Sequence, residues 1–247
     1  MPPDSSSFTT LNLPPDFSLP QCMEYFTLTA GPNTDLWRKP PNGDTSTAPI
    51  AFTSLRHPFI VAEVTVSADW EMEWDQGGLV IFAGAAPQTL SSPRSRRQQP
   101  RCKWVKAGME FSSGTVNASS VSATADGADW CLTPLCLPNT STTVHSLRIK
   151  LERIGNSLWI WYQVPSASGP SAPTPGAVGS TWKKLREVTW FFYGVEDKFI
   201  HVGVYASRPT NLSRENTMWE VRNSSLLPSS ATSVDGLVVE FEDLEIF

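Results

Sequence analysis

Lys103-Trp104-Val105-Lys106-Ala107-Gly108-Met109-Glu110-Phe111 alternates from end to end. In an extended chain Val105, Ala107, Met109 and Phe111 fall on one side, and Trp104, Lys106, Gly108 and Glu110 on the other. A helix would scatter both sets around its axis, so the stretch reads as a β-strand with one apolar face. The same period of two recurs upstream, where Ile60, Ala62, Val64 and Val66 alternate with Val61, Glu63, Thr65 and Ser67. Downstream, Ser146–Arg153 and Ser157–Val164 flank Gly155-Asn156, two residues that tolerate the positive φ of a hairpin turn. Gly77-Gly78 opens the apolar run Leu79–Ala83, and Phe199–Ala206 and Gly236–Phe247 close the chain in the same style. Long helical periodicity is absent. Ten Trp and twelve Phe favour strands, and 21 Pro and 15 Gly punctuate them. The pattern predicts an all-β chain, folded as an antiparallel two-sheet sandwich.

A sandwich of this kind accommodates all 247 residues in one domain. Residues 1–20, rich in Pro, Ser and Asp, read as a flexible N-terminal arm, and 21–247 as the domain. Two stretches interrupt the strands as loop insertions. Residues 87–101 are polar and bring Arg94, Arg96, Arg97 and Arg101 together, while 165–181 are rich in Ser, Pro, Gly and Ala.

Composition excludes several function classes. A net charge of −5 lacks the basic footprint that phosphate neutralisation requires, which argues against nucleic acid as a partner. No apolar run approaches the ~18–20 residues that span a bilayer, and Met1–Pro20 lacks the continuous apolar block of a signal peptide. A cytoplasmic location with no membrane partner is expected, and the N-x-[ST] matches at Asn117, Asn139, Asn211 and Asn223 then carry no weight. Cys22, Cys102, Cys131 and Cys136 are too scattered for a disulfide framework or a paired zinc motif and read as free thiols. His57, His145 and His201 are isolated, so no catalytic metal is expected. Asp35, Asp69, Asp75, Asp126 and Asp129 form no calcium-binding loop motif, and no phosphate-cradling Gly-rich motif calls for a nucleotide cofactor.

Taken in order, several segments resemble one family. They are Trp74-Asp75-Gln76-Gly77-Gly78-Leu79, Lys103 through Glu110, Ala128-Asp129-Trp130, Leu147–Tyr162, Trp182 with Arg186, and His201 through Ser207. The family is the regulation-of-enolase-like one, a domain of unknown function within the concanavalin A-like lectin/glucanase superfamily. The resemblance spans residues 25–247, and its most specific piece is Trp104-x-Lys106-Ala107-Gly108-x-Glu110. It implies a jelly-roll-like sandwich with a concave face, on a fold that hosts both lectins and glycosidases. Where the family uses short turns, this chain carries the two insertions.

Three sets of residues are candidates for chemistry. Trp104, Lys106 and Glu110 share a strand face and together offer a stacking surface, an ammonium and a carboxylate, with Gly108 leaving a gap between the charges. Trp130 joins them, and Tyr205, His201 and Ser207 line one face of a late strand. Glu71, Glu73 and Asp75 would align three carboxylates if extended, as a paired-carboxylate hydrolase requires, although a solvated strand end is the ordinary expectation. Trp159 and Trp161 also share a face, but core and sheet packing is the better explanation for them. The leading expectation is a ligand-binding protein that holds a carbohydrate or similar polar small molecule on its concave face. The rival is an enzyme on the same face, with Glu110 as its catalytic residue. It would be a glycan-active hydrolase using Glu71 or Glu73 as well, or an isomerase or cyclase acting on a hydrophobic small molecule in an aromatic pocket. A regulatory protein partner is a third reading, drawn from the family name alone.

Overall fold

Strand pairing begins near the N-terminus, where Phe8–Leu11 zips antiparallel against Ile50–Ser54. The computed structural model describes residues 3–41, 43–87, 102–135, 144–165, 181–195, 199–210 and 236–247. In chain order its strands are β1 (Phe8–Leu11), β2 (Tyr25–Ala30), β3 (Leu36–Lys39), β4 (Gly43–Ser46) and β5 (Ile50–Ser54). Next come β6 (Val61–Ala68), β7 (Gln76–Ala83), β8 (Lys103–Ser112), β9 (Thr115–Thr124) and β10 (Gly127–Pro134). The last are β11 (Ser146–Ile154), β12 (Ser157–Gln163), β13 (Lys183–Val188), β14 (Ile200–Ser207) and β15 (Leu237–Ile246). A seven-stranded sheet runs β1-β5-β14-β7-β8-β9-β10, a six-stranded sheet runs β13-β12-β11-β6-β15-β2, and β3–β4 stands apart as a hairpin. The ladders are antiparallel throughout. This is the all-β sandwich that the alternation predicts.

The core forms between the inner faces of the two sheets. Leu79 and Ile81 of β7 and Val105, Ala107 and Met109 of β8 pack with Val64 and Val66 of β6 and Leu147, Ile149 and Leu151 of β11. Each fully buried side chain of this size contributes about 1.5–3 kcal/mol. The six-stranded sheet keeps one wet face, so β6, β11 and β12 alternate buried with half-buried residues. The seven-stranded sheet does not. Its far side carries a second apolar cluster in which Val80, Phe82, Trp104, Val121 and Tyr205 pack under Leu36 of the β3–β4 hairpin. With both faces covered, β7 and β14 are buried at every residue, and their sequences lose the period of two.

Two glycines let the central strands close up. A Cβ at Gly108 would lie 1.9 Å from the Gly77 carbonyl oxygen, and one at Gly78 would lie 2.2 Å from that of Ala107. These residues face each other across the β7–β8 ladder, and a side chain at either would push the strands apart.

The fold corrects three expectations. Residues 1–20 do not hang free: β1 forms the sheet edge, and Phe8, Leu13, Phe17 and Leu19 pack against the main core. Apolar residues spaced through a polar segment supply this anchoring, which average composition conceals. Trp104, Lys106 and Glu110, expected to face outward, are buried because the hairpin covers their side of the sheet. Phe111, expected on the apolar face, is only half-buried. The expected insertions fall almost wholly at 88–101 and 166–180, outside the described residues. Cys22, Cys102 and Cys131 are free thiols. Among the described residues, no helix is long and apolar enough to cross a membrane.

Candidate functional site

A cavity of about 300 Å³ opens beside the β3–β4 hairpin, on the side of the seven-stranded sheet turned away from the main core. Trp37 of β3, Trp74 from the turn before β7, and Trp130 of β10 form its aromatic walls. Gln76, Lys106 and Glu110 rise from the sheet, Val121 adds an apolar patch, and Asp35 and Pro209 complete the lining. Trp74 and Trp130 are about half exposed, at 46% and 43%, whereas Lys106 and Glu110 are 1% and 2% exposed. The site therefore has a wet aromatic mouth over a dry, charged floor.

The register brings the floor together. Gln76 lies directly opposite Glu110 across β7–β8, and Val121 opposite both Lys106 and Trp130 in the neighbouring ladders. Glu110 Oε2 accepts from the Ser119 hydroxyl at 2.5 Å and from the Trp130 indole N–H at 3.2 Å. Its other oxygen has no bonding partner among the described residues. Burial pushes the Glu110 pKa up, opposed by the Ser119 hydrogen bond, the Lys106 charge and the Trp130 N–H, while Asp35 pushes it further up. Lys106 Nζ donates to Asp35 Oδ1 at 3.1 Å and sits 5.4 Å from the centre of the Tyr205 ring. One ammonium thus lies in the field of two carboxylates.

A buried ion pair braces the mouth. Arg208 donates through Nε and Nη2 to the two oxygens of Asp75, both at 2.8 Å, and neither side chain is more than 2% exposed. Asp75 Oδ2 also accepts from the backbone N–H groups of Glu71 and Met72, which closes a tight turn with Trp74 at φ 68°. The Arg208 backbone in turn exchanges hydrogen bonds with Thr34, the neighbour of Asp35. Trp74, Asp35 and Pro209 are positioned from this one hub.

Glu110, Lys106 and Trp130 meet in the cavity as the sequence suggests. Trp104 does not. It shares their face but is sealed in the second cluster, with Arg38 5.9 Å from its ring centre. Tyr205 lies beneath the floor, fully buried, and burial raises its pKa well above 10. His201 stands near the opposite end of β14. Its Nε2 faces the Gly84 carbonyl at 3.1 Å, which can only accept, so Nε2 carries the proton and Nδ1 accepts from Ser54 Oγ at 2.7 Å. Burial lowers the pKa of that ring, and it serves the sheet rather than the cavity. Ser207 donates to the Thr34 carbonyl.

The Glu71–Asp75 stretch is a turn and not an extended strand. Asp75 is consumed by Arg208, and Glu73 accepts from the Ser112 hydroxyl and the Ser113 backbone. Neither they nor Glu71 lines the cavity. Among the described residues, no three His, Cys, Asp or Glu side chains gather as metal ligands. Sequence reasoning does not reach Trp37, Trp74, Gln76 or Asp35 as site residues. Trp74 and Gln76 lie in the family-like segment Trp74–Leu79, which was the available signal for them, whereas Gly77 and Gly78 belong to β7 and mark no turn.

The described residues thus form an antiparallel two-sheet sandwich with a pocket on the outer side of one sheet. The chain belongs to the family described as protein of unknown function (DUF1349), which matches residues 11–246. That description carries no connection to enolase. An uncharacterized protein of Emericella nidulans is 34% identical over 187 residues, covering 75% of this chain and 78% of that one. A functionally unknown protein from Saccharomyces cerevisiae shares the fold at a TM-score of 0.62 and 20% identity, covering 99% and 98% of the two chains. The GH43 protein BlXynB from Bacillus licheniformis is similar at a TM-score of 0.51 and 10% identity, over 90% of this chain and 32% of that one.

Proposed function

We propose that the cavity binds a carbohydrate or a similarly hydroxylated, polar small molecule. The observation that carries this reading is three indoles set around a recessed carboxyl, amide and ammonium. Indole faces suit the C–H-rich faces of a sugar ring, and the recessed polar groups suit its hydroxyls. The volume of about 300 Å³ lies at the small end of ligand pockets, which fits one or two rings rather than a long chain. The test is titration calorimetry with a panel of mono- and disaccharides, followed by Trp74→Ala. At least one sugar should bind and quench indole fluorescence, and Trp74→Ala should abolish this without lowering the melting temperature much, since that ring is half exposed. A panel in which nothing binds would overturn the reading.

The raised Glu110 carboxyl supports a second reading, an enzyme in which Glu110 works as a general acid–base group. Among the described residues Asp35 is the other carboxylate lining the cavity, and Lys106 already engages it. Turnover of a sugar that binds, abolished by Glu110→Gln with binding retained, would establish the enzyme. Binding without turnover leaves the site a receptor.

A further inference from the structure

The charges of the cavity do not balance. Among the described residues its ionisable lining consists of Asp35, Lys106 and Glu110, two acids and one base. Lys106 is fixed on Asp35 at 3.1 Å and backed by the Tyr205 ring, so its charge is matched and its position taken. Glu110 is 2% exposed, and its two partners, Ser119 and Trp130, are neutral donors that converge on one oxygen. The other oxygen has no bonding partner among the described residues, and the side chain lines the cavity. A carboxylate so far out of water gains from a positive partner, and among the described residues no cationic side chain beyond Lys106 lines the site. The walls point the same way, because the faces of Trp37, Trp74 and Trp130 carry negative potential and attract a cation that has shed water. An anionic ligand meets two carboxylates and an occupied ammonium. A neutral ligand leaves the imbalance in place.

We infer that the ligand carries one positive charge, borne on an amine that sits against Glu110 while its hydroxylated ring lies among the indoles, as in an amino sugar. This rests on the carbohydrate reading above and narrows its substrate class.

Glucosamine, N-acetylglucosamine and glucose test the inference by calorimetry on the full chain, at a pH where the amine is protonated. One ring is common to all three, and only glucosamine is charged. Glucosamine should bind at least about tenfold more tightly than glucose, the scale of one charge-assisted hydrogen bond, and N-acetylglucosamine should gain nothing comparable. Glu110→Gln should bring glucosamine down to the level of glucose. The wild type supplies an independent readout should that variant fold poorly. Acidification through the Glu110 titration should erase the preference for glucosamine while glucose binding holds. Among the described residues the charged groups facing Glu110 are Lys106 and Asp35, with Gln76, Ser119, Trp130 and the buried Tyr205 phenol neutral, so the same acidification of Glu110→Gln separates the Glu110 contribution from the rest. Glucose binding as tightly as glucosamine would overturn the charge inference and leave the carbohydrate site standing. Failure of all three sugars would overturn both.

Discussion

Burial raises the pKa of Glu110, and the effect extends from binding to folding. Between the ordinary 4.5 and the raised folded value, the native state holds a proton that the unfolded chain has released. Stability from this group is therefore complete at low pH and falls as pH rises through that window. His201 works in the other direction. Its pKa is lowered by burial, so acidification from the ordinary 6.5 downward protonates the unfolded chain first and removes stability. Glu110→Gln isolates the first effect, because His201 is common to both proteins. The glutamine carbonyl still accepts from Ser119 and Trp130, and no charge is left in a dry site. The variant should match or exceed the wild type in melting temperature at neutral pH, with the gap closing as pH falls through the carboxylate range. Melting curves across pH decide it. A variant less stable at neutral pH by more than ~1 kcal/mol would mean that the ionised carboxylate is net favourable in the fold.

Strands and turns hold the cavity through contacts of very different range. The short-range part is legible in sequence. Alternation along Lys103–Ser112 puts Met109 in the core and Glu110 on the far face, and Gly155, at φ 61°, makes the β11–β12 turn. The long-range part is not. Leu36-Trp37-Arg38-Lys39 is too short for a readable period, yet this strand covers Trp104 and brings Trp37 to the site. Asp75 and Arg208 lie 133 residues apart, so nothing local announces that one neutralises the other. Their pairing carries a prediction for the turn at Trp74. Arg208→Met leaves Asp75 buried and unpaired, which costs about 3–5 kcal/mol. It should also release Trp74, lowering ligand affinity and red-shifting indole emission, while Arg208→Lys restores part of each. A melting temperature unchanged in Arg208→Met would show that Asp75 takes up a proton without loss and that the pair is no brace. Gly108→Ala probes the floor, where the new Cβ would meet the Gly77 carbonyl oxygen at 1.9 Å. Backbone cannot yield as a side chain does, so the strands must part, at a cost of at least ~1–3 kcal/mol by thermal melting.

At the scale of the whole molecule, one sheet separates two compartments that share strands but, among the described residues, no side chains. Met109 and Glu110 are neighbours on β8, yet Met109 belongs to the core between the sheets and Glu110 to the cavity on the other side. Met109→Ala opens a void in a fully buried position and should cost ~2–5 kcal/mol. Ligand affinity, measured well below the lowered melting temperature, should stay within about twofold, since the cavity lining is untouched. Glu110→Gln should do the reverse, with stability held and the preference for the amino sugar lost. The hairpin is where the two compartments become coupled. Leu36 is 2% exposed and anchors β3–β4 in the second cluster, while the adjacent Asp35 and Trp37 line the cavity. Leu36→Ala should therefore lower both quantities together, stability by ~2–5 kcal/mol and affinity with it, because the lost anchor frees the hairpin that carries those groups. Calorimetric binding and thermal melting on the three variants form one experiment. A loss of affinity in Met109→Ala as large as in Leu36→Ala would show that the sheet transmits core strain to the cavity. The two faces would then not be independent.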